Sequence, residues 1–387
     1  MQLPALWSRR LAGAAGPVRV AAAGVALASA GVLALATVAG AATGGGAAAA
    51  APTRGVPGPA GGPVPPGFRP VSVTFVSASE GWVLGTAPCA HRPCTSVVRT
   101  VDGGRSWTGT PAPRFPLAPW AGQRGLSSIR FADPLDGFAF GSQLWVTHNG
   151  GATWHHVRLP GRIGDLETSA GTVYAAVVTR RGRVTVYENG AGGGRWIPVP
   201  GLPAGVPGYA ALGTITLHGT AAWIILGNRL YATRAGRFWT EEPVRCPRDF
   251  QMASAGAFSA RRVTLLCVGG PAAGSASKIL YSSRDGGARF RRAGVPPAGG
   301  DQLDLLAQPA ARHIFIATSS GATWLDVSGN GGRTWGETLR LFDGGLGWSD
   351  FGFTTPGQGV AIEGDPVLGS RMYMTWDAGR TWHQIRF

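Results

Sequence analysis

Lysine is almost missing from this chain: 34 of its 35 basic residues are Arg, and Lys278 stands alone. Acids are scarce too, with 20 Asp and Glu among 387 residues, so the formal charge is +15. A basic excess made of arginine fits a GC-rich coding sequence. Five arginines (Arg9, Arg10, Arg19, Arg54, Arg69) and no acid precede residue 70, leaving +10 for the remainder. That is a moderate excess on a large surface, and no nucleic-acid partner is expected from it. The shortage of Lys and Glu removes the usual material of helices. The seven histidines show no metal-ligand spacing,, and no glycine-rich phosphate loop sits between a strand and a helix. Neither a metal nor a cofactor is expected. What the chain does have is 62 Gly, 29 Pro and 14 Trp, a profile of many short strands joined by tight turns.

Residues 20–42, VAAAGVALASAGVLALATVAGAA, form an uncharged run of small and apolar residues behind three arginines. This is an export signal, with Ala39-Gly40-Ala41 as a small-residue cleavage site. Its 23 residues also suffice to cross a bilayer uncleaved, as a signal anchor,. No cysteine lies near the cleavage region, which argues against a lipid anchor. From 43 to 70 the chain is Ala-, Gly- and Pro-rich, too poor in large apolar side chains to bury a core, and reads as a tether,. Three parts follow: a signal or anchor over 1–42, a linker over 43–70, and a folded region over 71–387.

The folded region repeats itself. TVDGGRSW at Thr100 recurs as THNGGATW at Thr147, SRDGGARF at Ser283, SGNGGRTW at Ser328 and TWDAGRTW at Thr375. Their last aromatics are Trp107, Trp154, Phe290, Trp335 and Trp382, and the gap from Trp154 to Phe290 is 136 residues, three ordinary spacings. Two worn copies fill it, ENGAGGGRW ending at Trp196 and ATRAGRFW ending at Trp239. The seven aromatics are then 47, 42, 43, 51, 45 and 47 residues apart, which predicts seven units of one supersecondary design,. Upstream of the boxes a second pattern recurs, as in VTFVSASEGWVLG, IRFADPLDGFAFG and FGFTTPGQGVAIEG. It reads as strand, turn, strand, so each unit is a meander of strands A, B, C and D with the box between C and D.

The phrase Ser/Thr-x-Asp-x-Gly-x-Thr-Trp resembles the BNR or Asp-box repeat of β-propellers, and the resemblance covers everything after residue 70. It implies an all-β, seven-bladed β-propeller of four-stranded antiparallel blades. Asp102, Asn149, Asp285, Asn330 and Asp377 would close the box turns, while Trp107, Trp154, Phe290, Trp335 and Trp382 anchor them between sheets. The blade order places Cys89 and Cys94 around the B–C hairpin of blade 1. It places Cys246 and Cys267 around the A–B turn of blade 5, taken to fall in AGAFSA. Two local disulfides are expected, which suits an exported protein.

Aligned strand A starts give Ser72, Ser128, Asp165, Asp249, Asp304 and Asp350, four acids at one position near the channel mouth. Either each bonds its own turn backbone, or they form an acidic ring for a cationic or hydroxyl-rich ligand, with Arg162 and Arg248 available to offset the charge. More distantly the chain resembles sialidases, whose chemistry needs an arginine triad, a Tyr–Glu nucleophile pair and an Asp acid. The family's Arg-Ile-Pro motif is matched only by Arg162-Ile163-Gly164, and only Tyr174 and Tyr209, with Glu167, are placed for such a role. The Gly-Trp strand followed by each box most resembles photosystem II stability and assembly factor propellers and their exported bacterial relatives, which are binding scaffolds. The expectation is a monomeric, extracytoplasmic, non-catalytic propeller with an envelope protein or glycan as partner. Membrane contact would come through the N-terminal segment if it is retained. An exo-glycosidase of sialidase type is the alternative.

Overall fold

The computed structural model describes residues 61–90, 93–119, 123–207, 214–270, 272–300, 304–342 and 347–387. The expected export signal and the first part of the linker lie outside these residues. Every regular element described is a β-strand, and consecutive strands pair antiparallel in seven separate sheets. Their innermost strands are Arg69–Phe75, Leu126–Phe131, Arg162–Ser169, Thr214–His218, Phe250–Ser259, Leu305–Ala307 and Trp348–Phe353. Each touches the next in this order, and the last touches the first, so the seven sheets close a ring. Six sheets have four strands; in the third, the outer position is shared by Ile197–Pro198 and Val206–Pro207. The seventh is completed by its own outer strand, His383–Ile385.

The second strand of each blade shows why the ring must close. Runs such as Ala221–Leu226 and Gly137–Gly141 are buried at every position rather than at alternate ones. A strand apolar on both faces needs cover on both sides, and a neighbouring blade supplies it on each. The buried side chains accordingly fall into seven cores, each shared by two adjacent blades. One box aromatic enters each core: Trp107, Trp154, Trp196, Trp239, Phe290, Trp335 and Trp382. The two worn copies therefore keep the packing function although they lost the acid.

The recurring Gly before the second strand belongs to the same arrangement. Gly81, Gly137 and Gly359 pair across the sheet with Phe75, Phe131 and Phe353. A Cβ at these glycines would lie 2.5 to 2.7 Å from the phenyl ring, so the missing side chain is the space the ring occupies. Each ring then meets the box Trp of its own blade edge-on, with centroids 6.2, 6.1 and 6.1 Å apart.

In each box the hydroxyl and the acid hold one tight turn. Thr100 Oγ1 donates to Asp102 Oδ1 at 2.8 Å and accepts from Gly104 N at 2.9 Å, while Asp102 Oδ1 also accepts from the backbone of Arg105 and Ser106. The same contacts recur at Asn149, Asp285, Asn330 and Asp377. The residue after the acid donates its N–H to the A–B turn of its own blade: Gly103 to Ser79, Gly150 to Leu135, Gly286 to Arg261, Gly331 to Arg312 and Ala378 to Gly357. Box turns and A–B turns thus share one end of the ring.

Both expected disulfides are present, Cys89–Cys94 and Cys246–Cys267, each with Cα atoms 5.7 Å apart. The turn inside the second one is not centred in AGAFSA, whose first five residues lie within the strand Phe250–Ser259; the chain turns at its last residue, Ala260, and at Arg261. Two register shifts in that strand, between Met252 and Ser254 and between Ala257 and Ser259, lengthen it and displace the turn from the midpoint. The end of the expected tether is also built into the fold. Gly62 pairs with Gly109 on the outer edge of blade 1, and Phe68 is buried with its ring 4.8 Å from Phe387. Phe68 is the large apolar side chain that this stretch does possess.

Four of the five box positions after the acid are Gly at φ of 71 to 79°; the fifth is Ala378, at 62°. An L residue with a Cβ is strained there. Ala378→Gly should raise stability by about 0.5 kcal/mol, whereas Gly331→Ala, with open space around its Cβ, should cost about 1 kcal/mol from backbone strain alone. Urea midpoints of the two variants check this; loss of stability in Ala378→Gly contradicts it.

Candidate functional site

Near the axis, the innermost strands share a device that side-chain alternation does not reveal. Register shifts fall just before Ser72, Ser128, Ser254 and Asp350, and beside Asp165. The bulge re-aims these side chains, and Ser72, Asp165, Ser254 and Asp350 bond the strand of an adjacent blade rather than their own turns. Asp350 Oδ2 accepts from Ser72 Oγ at 2.7 Å and Val73 N at 2.9 Å. Ser72 Oγ in turn accepts from Ile129 N at 3.1 Å, Asp165 Oδ2 accepts from Ile215 N at 2.8 Å, and Ser254 Oγ donates to the Asp304 carbonyl. The recurring position stitches blade to blade.

The four expected acids do not form a ring of like groups. Asp165 and Asp350 occupy the stitching position, but in blade 5 that position is Ser254. Asp249 lies five residues earlier, in an exposed turn at φ 69°. Asp304 is turned into the protein, where its carboxylate meets Lys278 Nζ at 3.2 Å with both side chains sealed from solvent. The one lysine of the chain thus serves a buried ion pair, and its ammonium also donates to the carbonyls of Pro297 and Gly299.

The offsetting cation at the axis is Arg130, not Arg162 or Arg248. Its guanidinium donates from Nε to Glu167 Oε1 at 2.8 Å and from Nη1 to Asp350 Oδ2 at 3.1 Å, with further bonds to Ser72 Oγ and the Val73 carbonyl. One side chain from blade 2 therefore ties blades 7, 1 and 3. Arg130 follows Ser128 by two residues, so it leaves the strand on the same face; that periodicity was the available signal. Arg162 begins the inner strand of blade 3, and Arg248 is exposed beside Asp249.

Three carboxylates, Asp165, Glu167 and Asp350, surround this one guanidinium. Burial at the axis, then repulsion from Glu167, push Asp165 up to about 7, against the Ile215 N–H and Arg130. Burial also raises Glu167 although Arg130 is bonded to it. Burial works against the charge of Arg130 itself, but Asp350 and Glu167 outweigh it and hold it cationic. With three carboxylates to one guanidinium, the raised values of Asp165 and Glu167 relieve the excess by favouring proton uptake.

The other expected features lie elsewhere. Tyr174 is buried in the core between blades 3 and 4 against Trp239, and burial raises its hydroxyl to about 12. Tyr209 lies outside the described residues. No group of three His, Cys, Asp or Glu side chains suited to a metal ion occurs among the described residues.

No protein-family model matches the chain, and no curated protein matches it in sequence. Solved structures do. YCF48 bound to a D1 peptide aligns over 81% of this chain and 95% of its own, with a TM-score of 0.55 at 15% identity. The chain is a seven-bladed β-propeller. The lectin BP39L from Burkholderia pseudomallei aligns over 82% of the propeller chain and 100% of its own, with a TM-score of 0.53 at 13% identity. A puromycin hydrolase mutant aligns at 0.56 and 14% identity, but over only 53% of its own length. At such identities the likeness is one of fold.

The raised Asp165 fixes a pH dependence. Its ordinary value is 3.8 and its folded value about 7, so the folded propeller binds the extra proton and loses stability as pH rises from about 4 to about 7. Asp165→Asn keeps an oxygen for Ile215 N and removes that loss. Its advantage over wild type should be on the order of 1–2 kcal/mol larger at pH 8 than at pH 4, after allowance for solvent in the channel. Denaturant midpoints at the two pH values check it; an equal difference at both contradicts the assignment.

Proposed function

We propose that this propeller is a non-catalytic binding scaffold outside the cytoplasm, and that a protein or glycan of the cell envelope docks at the channel mouth around Asp165 and Glu167. The observation that carries the reading is the Arg130 cluster. Its groups are committed to holding four blades together, yet three carboxyl groups share one guanidinium, and Asp165 is left without an ion pair of its own. Carboxyl groups short of a cation suit a cationic side chain or sugar hydroxyls. Two propellers of similar fold support a binding role, one solved with a D1 peptide and one a lectin. The two disulfides suit an oxidising compartment,.

The alternative, an exo-glycosidase of sialidase type, would need Glu167 free to pair with a tyrosine, and Arg130 occupies it at 2.8 Å. The hydrolase of similar fold carries nearly half its length beyond the part matched here.

The test is binding to the partner recovered by crosslinking from the native envelope. Asp165→Asn combined with Glu167→Gln should weaken binding about tenfold or more, the scale of one or two charge-assisted contacts, with the fold intact by tryptophan fluorescence. Unchanged affinity would place the ligand elsewhere. Turnover of a fluorogenic sialoside that Tyr209→Phe abolishes would overturn the non-catalytic reading.

A further inference from the structure

Away from the channel, a groove of about 1050 Å³ runs between blades 5 and 6 at the end of the ring that carries the boxes. Blade 5 contributes Arg262 from the start of its second strand, Arg284 and Arg289 from its box, and Arg291 and Arg292 from its outer strand. Blade 6 faces them with Arg312 from its A–B turn and Arg333 from its box. All seven side chains are exposed. Among the described residues none of them is in an ion pair, whereas Arg99, Arg130, Arg229, Arg245 and Arg340 all are. The one acid in the lining, Asp285, is occupied by Ser283 and the backbone of its own turn.

The groove is also rigid. Next to it the two blades approach so closely that a Cβ on Gly294 would lie 1.8 Å from the Gly332 carbonyl oxygen. At its inner end Thr264 Oγ1 donates to Gln308 Oε1 at 2.8 Å, a buried bond between the blades. Seven like charges on a fixed frame repel one another with only the Asp285 carboxylate, beside Arg289, to offset them,, and an anion bound across both blades relieves that repulsion.

The lining narrows the anion. Its one aromatic ring is His313, with no Trp, Tyr or Phe beside it, so it lacks the row of aromatic platforms on which successive nucleic-acid bases stack. Its few apolar members, such as Ala293 and Ile314, form no socket for the aromatic or aliphatic anchors of a peptide. What remains is guanidinium, the group that holds phosphate oxygens through paired N–H bonds, repeated seven times along both walls of a groove of about 1050 Å³.

We propose that the arginine groove between blades 5 and 6 binds a linear polymer of phosphate groups without bases, at a site separate from the channel mouth. Medium-chain inorganic polyphosphate is the probe, titrated onto the full chain by calorimetry. Binding should weaken steeply with salt, since each phosphate engaged releases counterions. Arg291→Glu with Arg292→Glu, and separately Arg312→Glu with Arg333→Glu, should each cut affinity at least tenfold. Arg180→Glu with Arg181→Glu, an equal charge change in an exposed turn of blade 3, should leave affinity within about twofold. Retained thermal unfolding and tryptophan fluorescence distinguish lost binding from lost fold. Equal loss in all three double variants would overturn the proposal in favour of general charge attraction. Equal affinity for oligothymidylate of the same phosphate number would overturn the exclusion of bases, and equal affinity for polyglutamate the preference for phosphate.

Discussion

The architecture depends on one constraint: no blade can bury its own second strand. Both faces of that strand are apolar, so a single four-stranded sheet would leave one of them in water, and a line of sheets would leave two at its ends. Only a closed ring gives every blade two neighbours. The seven shared cores are the physical content of that closure, and each box aromatic is the wedge that fills the outer part of one. The box turn is therefore a packing element first. This explains how blades 3 and 4 dispense with the acid while keeping Trp196 and Trp239.

Closure has a weak point at the seam between blades 7 and 1, where each sheet consists of its own consecutive strands and, among the described residues, none is exchanged. Side chains take over. Phe68 and Phe387 pack together beside Trp107 on the outside, while Asp350 bonds Ser72 and Val73 at the axis. Arg130 reinforces the same seam from blade 2. The ionic cluster at the axis thus latches the ring with three carboxyl groups around one guanidinium. The arginines that lack such partners are gathered instead in the groove between blades 5 and 6.

The repeat carried most of the fold. Seven aromatics at six regular spacings were enough to count the blades, to find the two worn copies and to phase the strands, because each unit solves the same packing problem with the same residue types. The cysteine pairs followed from that phasing, since both are local to one hairpin. The acids at the axis did not follow. Asp249 and Asp304 look equivalent to Asp165 and Asp350 in a linear alignment, but bulges and connecting loops of unequal length shift the strands, and one residue of shift reverses the direction of a side chain.

What the sequence by itself determined was the ring: its blade number, its boxes and its disulfides, all products of short-range spacing repeated along the chain. The tertiary structure alone decided which charges meet. Arg130 finds Asp350 across 220 residues, Lys278 finds Asp304 across a blade boundary, and seven arginines from two blades line one groove. Charge pairing depends on distances of a few ångströms between strands that only ring closure brings together, and no local period encodes it.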